Sequence, residues 1–170
     1  MKTDTGNGIN DAIDNYIYQK HYRLVNSILF YKDGELLAER YYNKFTKESR
    51  NNIKSVWKSI ISICAGICLS KGFIKSFDEP VSNYIPLFDG SRHPYHQMLK
   101  IKHLLTMTSG IYWNGGIHYH CPMLVQCLRS GNITEYISDI YMKDLPGSSL
   151  VYKEWDIMLA SEVIHKASGM

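Results

Sequence analysis

No stretch of this 170-residue sequence is both long and apolar enough to cross a bilayer. Its longest apolar run, Ser59 to Leu69, falls well short of the about 20 residues that a spanning helix needs. Met1-Lys2-Thr3-Asp4 leads into polar residues rather than an apolar segment, so no secretory signal is legible and a cytoplasmic location is expected. Charge of one sign is also scarce. The net charge is +3 and the basic residues are scattered, which argues against a nucleic-acid-binding stripe. Neither a membrane nor a nucleic acid is therefore expected as a partner. Cysteine is limited to Cys64, Cys68, Cys121 and Cys127. The first two are spaced i, i+4, unlike a zinc knuckle, and all four read as buried thiols rather than a disulfide framework. Internal repeats and low-complexity tracts are absent.

What is present fits one ordinary domain. Apolar residues make up 45% and charged residues 21%, which excludes disorder outside the polar start, 1–10. The pattern predicts a helix over Asn10 to Tyr22. Two apolar runs then flank Asp33-Gly34, a hairpin signal because both turn positions need positive φ. Strands are expected at Ser27 to Lys32 and Glu35 to Tyr42, followed by a polar loop to Asn52. A helix from Ser55 to Ser70 stops before Gly72. Short turns are expected over Ile74 to Phe88, which holds two prolines, and further helices over Ile101 to Met107, Cys121 to Leu128, Thr134 to Tyr141 and Trp155 to Lys166, the last closing at Gly169.

The helix from Ser55 carries the chemical question. Val56, Trp57, Ile60, Ile61, Ile63, Cys64, Ala65, Ile67, Cys68 and Leu69 cover almost its whole circumference, which predicts burial in a domain centre. The exceptions, Ser55, Lys58, Ser59, Ser62 and Gly66, share one narrow stripe. Lys58 lies one turn from Ser55, within reach of its hydroxyl. An apolar setting and a helix N-terminus both disfavour the ammonium, and a neutral amine can take a hydroxyl proton. Ser55 then becomes an activated nucleophile, and first-turn N–H groups are placed to hold an oxyanion. The plainer reading is a serine N-cap with a lysine reaching water. With 16 serines and 14 lysines in the chain, chance alone supplies about one Ser-x-x-Lys, so the spacing needs its setting to carry weight.

The surrounding words supply that setting. SVWKSIISICAGICLSKGFIKSFDEPVSNYIPLF resembles the nucleophile helix and following segment of the β-lactamase-related serine hydrolases. That superfamily includes class C β-lactamases, DD-peptidases, family VIII esterases and 6-aminohexanoate-dimer hydrolases. IKHLLTMTSGIYW looks like its next block, PGSSLVYKEWDIMLASEVIHKASGM like the block carrying its Tyr-x-Asn element, and LFYKDGELLAERYYN like its first two strands. The wording of LLTMTSG leans slightly toward the esterase and amide-hydrolase branch. The resemblance implies an α+β, β-lactamase/transpeptidase-like fold: an antiparallel sheet with packed helices beside a helical subdomain. It implies Ser55 as the acylated nucleophile, Lys58 as its base and Tyr152 as a second proton-transfer residue. Trp113 and Glu154 fall where the family's substrate-binding side chains stand. Composition alone would not have singled out Tyr152, one of 13 tyrosines.

Two departures stand out. The family's Tyr-x-Asn reads Tyr152-Lys153-Glu154 here. Glutamate offers acceptors and a charge where asparagine offers a neutral donor and acceptor. Glu154 either pairs with Lys58, damping its basicity, or points away. The family's later Lys/His-Thr-Gly strand, which lines the site and belongs to the sheet, does not occur before Met170. The expectation is one incomplete domain over 1–170, in three parts: 1–26 as tail and helix, 27–52 as hairpin and loop, and 53–170 as nucleophile helix and helical subdomain. A second chain or a further copy is the expected means of completing the sheet.

The remaining candidates are weaker. His118-Tyr119-His120-Cys121 has adjacent ligand types but no converging partner motif, and His93, His96 and His103 add no ligand spacing. Asp78-Glu79 before Pro80 reads as turn capping. No metal and no cofactor is expected. Two classes of function follow: an acyl-serine hydrolase acting on a small-molecule ester or amide, or a non-catalytic remnant or binding module of the same fold.

Overall fold

The structure is a computed structural model that describes residues 5–115 and 121–170. The chain divides into two compact units, Met1–Ile53 and Lys54–Met170. The histidines of the His118–His120 cluster lie outside the described residues.

The first unit holds helix α1 (Thr5–Gln19) and an antiparallel hairpin of β1 (Ser27–Lys32) and β2 (Glu35–Tyr41). The hairpin turns at Asp33 and Gly34, with φ of 52° and 83°, as the dipeptide predicts. The register pairs Ser27 with Tyr41 and Lys32 with Glu35, and shifts at Phe30/Tyr31. α1 packs against β2. Asp14 on α1 fixes this packing: its carboxylate accepts from the Arg40 guanidinium and from the Tyr42 hydroxyl at 2.7 Å. The Arg40 hydrogen bond holds the Asp14 carboxyl below the usual carboxylate range. Among the described residues the sheet has only these two strands.

The second unit is helical. A 3-10 turn at Lys54–Val56 leads into α2 (Trp57–Ser70), followed by 3-10 turns at Val81–Asn83, Pro86–Phe88 and Pro94–Met98. Then come α3 (Ile101–Leu105), α4 (Pro122–Arg129), α5 (Ile133–Ser138) and α6 (Glu154–Ser168), which closes on Gly169 at φ 71°. Both helices after α3 and the closing one fall within a few residues of their expected spans. The core gathers Ile74, Val81, Phe88, Leu99, Ile101, Leu104, Ile111, Ile137, Trp155, Leu159 and Val163. Cys68, Cys121 and Cys127 are buried and all four cysteines are free thiols. Among the described residues no helix is long and apolar enough to cross a membrane.

The buried helix is α6, not α2. On α6, Trp155, Asp156, Ile157, Leu159, Ala160 and Val163 are buried, and it packs against α2, α3 and α5. On α2 only Lys58, Ala65 and Cys68 are buried, while Ile60, Ile63 and Ile67 stand 47%, 63% and 47% exposed, as does Val56 just before the helix at 62%. The expectation of all-round burial for α2 fails for a simple reason. Apolar residues on every side of a helix show that any face can be covered, not which face is. Within the second unit, α2 packs against α6.

Asp78 and Glu79 organise the connection rather than forming a reactive pair. Asp78 pairs with Lys102 at 2.6 Å and Lys100 at 3.3 Å, and Glu79 accepts the Tyr84 hydroxyl at 2.7 Å. Those lysine contacts hold Asp78 below its ordinary value, and the Tyr84 bond does the same for Glu79. His96 is buried against the Phe88 ring, and His103 Nδ1 accepts the Lys100 backbone N–H at the start of α3. Burial pushes both histidines below the usual imidazole range.

Candidate active site

Ser55 sits in the 3-10 turn that precedes α2, one residue after Lys54, whose φ of 47° lies in the left-handed region. A non-glycine residue holds that region at a cost of roughly 1 kcal/mol or more, so the packing around the turn has to enforce it. Val56 stands at the N-cap of α2 and provides no side-chain acceptor there. Ser55 is thus the last polar side chain before the helix rather than its cap, which differs from a helix beginning at Ser55 itself.

Lys58 is the one buried cation of α2, 9% exposed. Its Nζ lies 3.4 Å from Ser55 Oγ. It also lies 2.8 Å from both Oε1 and Oε2 of Glu154, the first residue of α6. Two ring faces complete its surroundings: the Tyr152 centroid at 5.1 Å and the Trp57 centroid at 5.7 Å. Ser55, Lys58, Tyr152 and Glu154 therefore meet around one amine, although 94 residues or more of sequence separate the two pairs. The packing of α6 on α2 achieves this. Of the two options for Glu154, pairing or pointing away, the geometry is pairing.

The pairing changes what the amine can do. An ammonium has three donors and no acceptor. Two of those donors face Glu154 and one faces Ser55, so in this arrangement Lys58 donates to the serine. To take the serine's proton it must first give up one of its own.

Trp113 is not part of this hydrogen-bonded group. Its ring meets Trp155 edge-on at 4.8 Å and 87°, and Trp155 Nε1 donates to the Tyr112 carbonyl at 3.0 Å. Tyr152 is 57% exposed.

Sequence reading missed a second cluster beside the first. Lys153, between Tyr152 and Glu154, is 1% exposed, and Asp156 and Ser109 are fully buried. Lys153 Nζ donates to Ser109 Oγ at 3.0 Å and to the Ile111 carbonyl at 3.1 Å. Asp156 accepts from the Ser109 hydroxyl at 2.5 Å and from its backbone N–H at 3.2 Å, and its Oδ1 is 3.8 Å from Lys153 Nζ. Burial pushes the Asp156 carboxyl up to about 6, against the opposing pull of Lys153 and Ser109. Burial pulls the Lys153 amine down, against Asp156 and Asp144. The one available signal was the i, i+3 spacing of Lys153 and Asp156, which usually marks an exposed helical pair.

Among the described residues no group of three or more His, Cys, Asp or Glu side chains is placed to hold a metal ion. Cys121 is buried, its thiol donating to Asn114 Oδ1 at 3.4 Å.

Residues 13–170 match the family model described as Beta-lactamase. No curated protein sequence matches the chain. Among solved structures, a class C beta-lactamase superposes with a TM-score of 0.75 at 18% identity, over 99% of this chain and 46% of that one. A protein from Bacillus anthracis described as a candidate 6-aminohexanoate-dimer hydrolase gives 0.72 at 14%, over 93% and 43%. A candidate beta-lactamase from Bacteroides dorei DSM 17855 gives 0.70 at 21%, over 95% and 46%. At these identities the likeness is one of fold. The chain spans less than half the length of each of these proteins.

Proposed function

The chain belongs to the Beta-lactamase family, and on that premise we propose that it carries the nucleophile of a serine hydrolase acting on a small ester or amide. In this reading Ser55 Oγ attacks the carbonyl carbon and its proton passes to Lys58 Nζ. The tetrahedral intermediate collapses when the leaving oxygen or nitrogen takes a proton, delivered through Tyr152. Water then cleaves the acyl-serine by the reverse proton path, releasing the acid and restoring Ser55. Free N–H groups in the first turn of α2 are suited to hold the oxyanion. The substrate classes named for the structural neighbours, a β-lactam and an amide dimer, are both acyl donors of the kind this chemistry takes.

The observation that carries the reading is the buried amine of Lys58 at 3.4 Å from Ser55 Oγ, one turn away and beside Tyr152. A general base must stand within hydrogen-bond reach of the proton it removes, and resting geometry is often longer than the reacting one. Glu154 restrains the amine in the resting chain.

The test is hydrolysis of a chromogenic p-nitrophenyl ester by the purified chain against its Ser55→Ala and Lys58→Met variants. Turnover above both variants supports the hydrolase. Equal release by all three well-folded proteins would instead favour a binding module that keeps the pocket and lacks the chemistry.

A further inference from the structure

We propose that Lys153, Asp156 and Ser109 are positioning residues, a buried trio that fixes the segment before α6 so that Tyr152 and Glu154 are held at Lys58. This rests on the reading of Ser55 and Lys58 as the reacting pair. The residue before α6, Lys153, has extended backbone (φ −150°, ψ 162°). In an extended segment neighbouring side chains point to opposite sides. Lys153 runs inward to Ser109 and Ile111, and the residues on either side of it, Tyr152 and Glu154, both meet Lys58 instead. Anchoring Lys153 therefore orients its two neighbours.

The other end of the anchor is equally fixed. Ser109 is the hub: its hydroxyl donates to Asp156, accepts from Lys153 and accepts the Ile111 backbone N–H at 3.2 Å. The 107–111 loop that presents Ser109 is tied to the same segment by the Val151 N–H bonded to the Met107 carbonyl at 2.9 Å. At Gly110, φ 82°, an added Cβ would sit 2.0 Å from the Asp144 carbonyl oxygen, so the loop has no room to relax there. Three buried polar side chains satisfied by one another form a rigid arrangement, and the loss of one leaves the others unpaired.

Because Asp156 titrates, the trio carries a pH signature. With Asp156 ionised, Lys153 has a counter-charge; with Asp156 protonated, the ion pair is gone. Besides the thiols of Cys64 and Cys68 on α2 and the Tyr136 hydroxyl on α5, the titratable groups on elements packed against α6 are the Lys, His and Glu side chains of Lys58 on α2, Lys102 and His103 on α3 and Glu135 on α5. These four Lys, His and Glu side chains have their own partners: Glu154, Asp78, the Lys100 N–H and Asn132 respectively. Asp144, between α5 and α6, acts on Lys153.

The test uses the full chain with tyrosines labelled at 13Cζ, Tyr152 being assigned by Tyr152→Phe, and follows its signal from pH 4.5 to 8. Alongside, the rate of fluorophosphonate labelling at Ser55 is measured over the same range. The expected result is a step in the Tyr152 signal centred near pH 6 that disappears in Asp156→Asn, and a labelling rate with the same step, also lost in that variant. A flat Tyr152 signal through pH 6, or a step that persists in folded Asp156→Asn, overturns the proposal. A Tyr152 step without any labelling of Ser55 supports the positioning trio and removes the hydrolase reading. Normal labelling with no Tyr152 step removes the trio alone. Should Asp156→Asn fail to fold, Ser109→Ala keeps both charges and removes only the bridging hydroxyl. It is expected to shift the step and slow labelling about fivefold, and wild-type values for both would sink the idea.

Discussion

Lys58 Nζ is shared between two residues: it lies 2.8 Å from each carboxylate oxygen of Glu154 and 3.4 Å from Ser55 Oγ. In this arrangement the amine donates to both partners. Replacing Glu154 with Asn removes the charge and shortens the side chain by one methylene. The expected outcome is faster acylation of Ser55, about tenfold, which corresponds to about 1.4 kcal/mol in the barrier. The rate of ester-probe labelling, followed by intact mass, checks it; an unchanged or slower rate would show that Glu154 does not restrain the lysine.

Removing the base should act in the opposite direction. Lys58→Met keeps a long apolar stem and loses the amine. Labelling of Ser55 is expected to fall by about 10²-fold or more, the range for a positioned general base. Since the substitution also leaves Glu154 without its ion-pair partner, a thermal melt should accompany the rate. Unchanged labelling in folded protein would argue that another group takes the proton.

Much of this was legible beforehand, and the limits are informative. The hairpin turn, the span of α6 and the Ser55–Lys58 spacing each follow from local rules: positive φ at Asp33-Gly34, a glycine stop at Gly169, and 3.6-residue periodicity. What depended on partners was not legible. Nothing in α2 itself says that α6 covers only one of its faces, and nothing in Tyr152-Lys153-Glu154 says that the middle residue turns inward. Resemblance, not composition, selected Tyr152. No residue pattern marked Ser109, since its role exists only where the 107–111 loop meets α6.

The uncovered row on α2 gives a stability prediction. Ile63→Gln, at a position 63% exposed, should change stability by no more than about 0.5 kcal/mol and should reduce binding of an apolar dye. Ala65→Leu, on the covered face at 1% exposure, should cost about 1–3 kcal/mol through overpacking. Urea melts of the two variants decide it: equal losses would mean that both faces of α2 are covered in solution.

The Asp156 carboxyl gives a pH dependence with a definite sign. Its folded-state value of about 6 lies above the ordinary 3.8, so between those values the folded chain binds more protons than the unfolded one. Asp156 therefore contributes stability at low pH that is lost as pH rises through 6. The melting temperature of the wild type relative to Asp156→Asn should be higher at pH 4.5 than at pH 7. A difference that stays constant with pH, or grows toward pH 7, would contradict this.

Gly110 offers a test of the loop that presents Ser109. With φ at 82° and the Asp144 carbonyl in the way of a Cβ, Gly110→Ala should cost more than about 2 kcal/mol. Gly131→Ala, at φ 77° with open space around it, should cost only about 1 kcal/mol. Equal costs in chemical denaturation would show that the 107–111 loop is free to move.

The most direct measurement is the intact mass of the folded chain after exposure to a fluorophosphonate, with peptide mapping of the adduct. A single adduct on Ser55, absent in Ser55→Ala and strongly reduced in Lys58→Met, is the predicted result. An unmodified chain, or an adduct elsewhere that survives Ser55→Ala, would contradict it.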